Sequence, residues 1–142
     1  MRYIDIGRIA RIKEIKNEIM VLSAERDVVA SPLMTDFGRI AELYRHFTRF
    51  TGGVDIDVWW RKVFLFVVLY LYSPQALCGG KMPSGLRKAI SGAMGINGNV
   101  ISYNCSDLLF MFKVYSSFRG DVDTFLGYLA DAISSPGLAC EE

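Results

Sequence analysis

A chain of 142 residues that is 51% hydrophobic carries enough apolar material for one domain plus an appendage, which excludes wholesale disorder. A net charge of +1 excludes a uniformly basic nucleic-acid binder. Cys78, Cys105 and Cys140 are odd in number and lack metal-ligand spacing, so a reducing, cytoplasmic setting without a disulfide framework or metal is expected.

The first helix is predicted from about Ile4 to Glu25. Ile12, Ile15, Ile19 and Leu22 recur at three, four and three, an a/d pattern lasting about two heptads. Charges alternate with isoleucines here, so no signal peptide is expected. Residues 26–34 form a hinge broken at Ser31-Pro32. A second helix follows, capped by Thr35 or Asp36 and stopped at Gly52-Gly53, with Phe37, Ile40, Tyr44 and Phe47 on one face and Leu43 and Phe50 widening it. Residues 1–50 therefore read as an N-terminal helical pair, with residues 4–50 as the contact of a homo-oligomer.

Asp55 or Asp57 opens the third helix, which ends near Tyr72. Its run Val63–Tyr72 is apolar without a break but only ten residues long. A membrane span needs about twenty, so a helix buried at the centre of a bundle is expected and no membrane partner. The alternation from Val54 to Val58 is too short for a strand. Residues 73–85 hold a short turn of helix at Pro74–Leu77 and then an irregular loop, whose Gly79-Gly80-Lys81 lacks the spacing of a phosphate loop. After an interruption at Ser116–Gly120, a last helix runs from Asp121 to about Ile133, with Val122, Phe125, Leu126, Leu129 and Ile133 inward. Residues 54–135 form the main bundle and residues 136–142 a frayed tail.

Within that bundle, residues 86–108 spell two helices joined at a sharp turn. Leu86, Ile90 and Met94 make one apolar face, Gly95 ends the first helix, and Asn97 caps the second. Ile96 and Ile101 then stand at the spacing of a hydrophobic staple. Ile101, Cys105, Leu108, Phe112 and Tyr115 continue as one buried stripe, with Cys105 as an inert core thiol. Asn99, Ser102, Tyr103 and Ser106 lie opposite. Residues 81–120 carry Lys81, Arg87, Lys88, Lys113 and Arg119 against Asp107 alone, a net +4, while the chain from residue 121 onward carries −5. Arg87 and Lys88 fall in the first turn of their helix, where the dipole disfavours cations and an external phosphate offsets the cost.

Ile90, Ser91, Met94, Gly95, Ile96, Asn97, Ile101 and Ser102 fill in order the places of a helix-turn-helix, and the arrangement resembles that motif of DNA-binding regulators. Ser91 stands where alanine is usual, and Tyr103 where a basic residue is common. The resemblance covers about a sixth of the chain; a plain helical hairpin in an all-α core is the alternative. It implies an all-α fold of about six helices with a helix-turn-helix in a C-terminal helical bundle. It also implies double-stranded DNA as partner, with Asn97, Asn99, Ser102, Tyr103 and Ser106 facing the groove or its walls, and Arg87, Lys88 and Lys113 on the backbone. In general style the chain is similar to small accessory proteins of bacteriophages and mobile elements, including small terminase subunits. Regulation or DNA packaging in the host cytoplasm, or in a phage particle assembled there, is the role this implies. Use of the same fold for protein contacts in a phage structural or assembly protein is the alternative.

Catalysis has little to stand on. His46 is the only histidine, placed between Arg45 and Phe47 on an amphipathic helix, and reads as a surface or interface residue. No nucleophile–base pairing and no cofactor motif is apparent, so a non-enzyme is expected.

Overall fold

The computed structural model describes residues 5–29, 31–53 and 55–133, and within them regular structure is entirely helical. The all-α expectation therefore holds. The chain divides into two compact units, Met1–Ser31 and Pro32–Glu142.

The first unit is a single helix, α1, Ile6–Val29. It runs beyond the expected stop at Glu25, through residues assigned to a hinge; the expected start at Ile4 lies outside the described residues. Arg11 bridges Glu14 at 3.3 Å and Glu18 at 3.2 Å along one side. Ile12, Ile15, Ile19 and Leu22 all point outward, between 42% and 62% exposed.

In the second unit Leu33 and Met34 donate their N–H groups to the carbonyl of Leu71, at 2.8 and 2.9 Å. Asp36 caps a 3-10 turn, Phe37–Arg39, by accepting from Gly38 N at 2.9 Å. The helix α2, Ile40–Phe50, continues from it and ends before Gly52 and Gly53, which adopt φ of 74° and 77°. Its predicted face is correct: Ile40, Leu43 and Phe47 are buried, and Phe37, Tyr44 and Phe50 pack against the core. The domain boundary at residue 50 needs correction. The α2 face is used within the second unit, where Phe47 meets Phe64 at 5.1 Å and Phe125 at 4.9 Å between ring centres. Aromatic complementarity inside the core thus removes α2 from the expected N-terminal pair, and the compact unit starts at Pro32.

The central helix α3, Val58–Tyr72, is capped by Asp57, which accepts from Trp60 N at 3.0 Å. Val63 to Leu69 are all buried, as a helix surrounded by others requires. No described helix is long and apolar enough to cross a membrane. A one-turn α4, Pro74–Leu77, precedes α5, Leu86–Met94, and α6, Gly98–Cys105. The chain then forms α7, Leu108–Val114, and α8, Ser116–Ile133.

Two boundaries differ from expectation. The stripe predicted as one helix from Ile101 to Tyr115 breaks at Ser106-Asp107. There the Ser106 hydroxyl donates to Tyr103 O at 2.9 Å, a local bond that competes with the helical ladder. Lys62 Nζ holds the Asp107 carboxylate at 3.0 Å. Ile101 and Leu108 remain buried across the break, but Tyr115 is 46% exposed. The interruption expected at Ser116–Gly120 shrinks to Tyr115 alone, whose backbone is extended. Arg119 secures this corner by donating to Phe112 O and Lys113 O, both at 2.9 Å. Phe118, Val122, Phe125 and Leu129 are buried on α8. Val54, the side chain of Ile133, and the tail 136–142 with Cys140 lie outside the described residues.

Tyr72 closes the far end of α3 by donating to Asp36 O at 2.8 Å. Burial, reinforced by Asp36 and Glu42 and opposed by Arg39, pushes its phenol from 10.0 to about 12. The folded state thus favours the neutral phenol. That stabilisation is intact below pH 10 and is lost as pH rises toward 12. Tyr72→Phe is expected to cost about 1 kcal/mol at neutral pH for the lost bond. It should also show a shallower alkaline loss than wild type in urea midpoints taken across that window; an unchanged alkaline slope would contradict the assignment.

Candidate functional site

The joint between α5 and α6 is built from one backbone turn, two side-chain hydrogen bonds and an apolar contact. Gly95 ends α5 at φ 70°, its N–H bonded to Ser91 O at 2.8 Å. This left-handed turn is open to glycine without steric cost. The Ser91 hydroxyl donates to the Ile96 carbonyl, so Ser91 ties the helix to the turn. Asn97 Oδ1 then accepts from Asn99 N at 2.7 Å and starts α6. Ile90 and Ile101 are buried while Ile96 packs against the core, so both staple positions face inward.

Of the residues predicted to contact DNA, Arg87, Ser102 and Ser106 come together. They line an open depression of about 310 Å³ together with Lys81, Met82, Cys105, Ala76, Leu77, Gly79 and Gly80. Lys88, Asn97, Asn99 and Tyr103 are exposed along the same hairpin, Tyr103 to 80%. Asn97 Oδ1 is engaged by its cap, and its amide NH₂ is open to a partner. Lys113 is exposed on α7, beyond the break at Ser106-Asp107 and outside the depression.

Charge around the depression is one-sided. Among the described residues, Lys81, Arg87 and Lys88 form no ion pair. Asp107, the acidic residue of the basic stretch, is matched by Lys62. Arg87 occupies the second position of α5, whose first turn carries no acidic residue and whose cap Gly85 offers no side chain. Its stem rests against the start of α6: a Cβ on Gly98 would stand 3.3 Å from Arg87 Cδ. Cys105 is half-buried, and burial pushes its thiol from 9.0 to about 11, with Asp107 adding to the shift and Arg87 opposing it. The thiol is therefore neutral at physiological pH and a poor nucleophile.

Lys81 was not among the predicted contact residues. Its signal was its place in the net +4 stretch, obscured because the loop around it has no periodicity. The loop is nevertheless tightly built: a Cβ on Gly80 would stand 2.9 Å from the Gln75 carbonyl oxygen, so only glycine fits without a backbone shift. Buried Asn104 was also missed; its side-chain nitrogen has no hydrogen-bond partner. Among the described residues no group of histidine, cysteine and carboxylate side chains is arranged to hold a metal ion.

Comparison with known proteins adds no relationship: no family model matches the chain, and no curated protein or solved structure is similar to it.

Proposed function

We propose that this chain is a small helix-turn-helix DNA-binding protein, with a regulatory or packaging role of the kind found among phage and mobile-element proteins. The observation that carries this reading is an exposed polar face on α6, flanked by the unpaired cations Arg87, Lys88 and Lys81. A duplex offers what such a face lacks, phosphates for the cations and base edges for Asn99 and Tyr103. Affinity then depends on phosphate contacts and falls steeply with salt. Gel shifts on genomic and random duplexes at several salt concentrations test it. Arg87→Ala with Lys88→Ala should lower the slope of log affinity against log salt by about 2. No binding by wild type at low salt, or a slope unmoved in the double variant, sinks the reading.

A second reading, assembly through a homo-oligomer, is favoured by one observation, the exposed isoleucine row of α1. Most helical stability in proteins comes from packing an apolar face rather than from intrinsic propensity. The row from Ile12 to Leu22 suits the same row on a second copy, a self-complementary contact. The two readings are compatible, since paired DNA-binding units are the common way to lengthen a recognised site.

A further inference from the structure

The depression between α5, α6 and the 79–82 loop has the chemistry of an oxyanion receptor. Arg87 and Lys81 both line it, and both also line a second depression of about 550 Å³ beside Met82, Pro83, Ser84 and Gly85. No acidic side chain lines either one among the described residues. Its remaining polar wall is hydroxylic: Ser102 is free to donate, whereas Ser106 already donates to Tyr103 O. The neutral Cys105 thiol adds no negative charge. Both cations are placed by backbone, Arg87 by its stem against Gly98 and Lys81 by the glycine loop folded onto Gln75. At about 310 Å³ the space is at the lower limit of small-ligand sites, suited to one phosphate and the group it esterifies.

We propose that this depression binds one phosphate group, held by Arg87 and Lys81 with Ser102 as the neutral donor. If the phosphate belongs to a duplex, which rests on the DNA reading above, α6 approaches with its Ser102–Ser106 side to the backbone. Asn99 and Tyr103 are then left for the groove. Ser102 accordingly positions the protein rather than reads bases, and its replacement weakens binding alike on every sequence.

The test uses the full chain, wild type and the exposed-residue variants Lys81→Gln and Ser102→Ala, with Lys16→Gln on α1 as a charge control. One arm measures duplex affinity against salt, and the other titrates inorganic phosphate into isotope-labelled protein. Lys81→Gln should lower duplex affinity about tenfold at low salt and cut the slope by about 1. Ser102→Ala should weaken every duplex equally and leave the slope unchanged, and Lys16→Gln should alter neither. Phosphate should shift the amide resonances of Lys81, Arg87 and Ser102 saturably in wild type and not in Lys81→Gln. Phosphate binding without duplex binding would uphold the site, with a small phosphorylated ligand as its source, while removing the DNA reading. Duplex binding with a slope unchanged in Lys81→Gln, and no phosphate-induced shifts at these residues, would overturn the site and leave the DNA reading standing.

Discussion

Replacing Phe47 by alanine is expected to remove about 4 kcal/mol of stability, a large share of the 5–15 kcal/mol typical of a whole domain. Phe47 is fully buried and joins three helices through one ring. Phe64 of α3 and Phe125 of α8 lie 5.1 and 4.9 Å from it, with Trp60 at 6.3 Å. Such a site collapses poorly, because rigid rings cannot flow into the space left behind, so the cavity term adds to the lost transfer energy. Phe110→Ala serves as the contrast: that ring is 57% exposed, and its removal should stay within about 1 kcal/mol. Urea or guanidinium midpoints measure both. A loss below about 1 kcal/mol for Phe47→Ala would mean that α2 is not packed as described.

The double substitution Ile15→Asp and Ile19→Asp should convert an oligomer to monomer while leaving the thermal transition of the second unit unchanged. Both side chains are exposed, on a unit separate from the one that holds the aromatic core. In an assembled helix pair they would occupy the seam, where an unpaired carboxylate costs several kcal/mol. Sedimentation or light scattering reads the mass, and near-ultraviolet dichroism reads the aromatic core. A wild type that is monomeric at high concentration would end the assembly reading. A simultaneous loss of the core signal would overturn the attribution of the effect to assembly.

Legibility in the sequence followed the reach of each interaction. Asn97 and Gly95 act within a few residues of themselves, and their capping roles could be read from spacing alone, whereas spacing left Asp57 level with Asp55. The α2 face was equally clear, since Ile40, Leu43 and Phe47 repeat with helical period. Its destination was not. An apolar stripe states what a helix buries and is silent on the partner, which here is the distant α5 and α8 as well as the adjacent α3. The break at Ser106-Asp107 escaped because Ile101 and Leu108 keep helical spacing across it. The groups that accompany it, the Ser106 hydroxyl and the distant Lys62, carry no periodic signature. At the candidate site the exposed face of α6 was legible, but Lys81 was not. It joins Arg87 only through a glycine loop whose shape depends on contact with Gln75.

The double acceptance by Leu71 O has a practical corollary for where the chain can be shortened. An α-helix leaves its last carbonyls without internal partners, and here one of them is satisfied by Leu33 and Met34 N–H rather than by solvent. The segment just after Pro32 is thus part of the closure of α3, although it belongs to no helix. A version of the second unit cut at Pro32 retains both bonds, whereas one trimmed to the first capped residue, Asp36, exposes the end of the most buried helix to fraying.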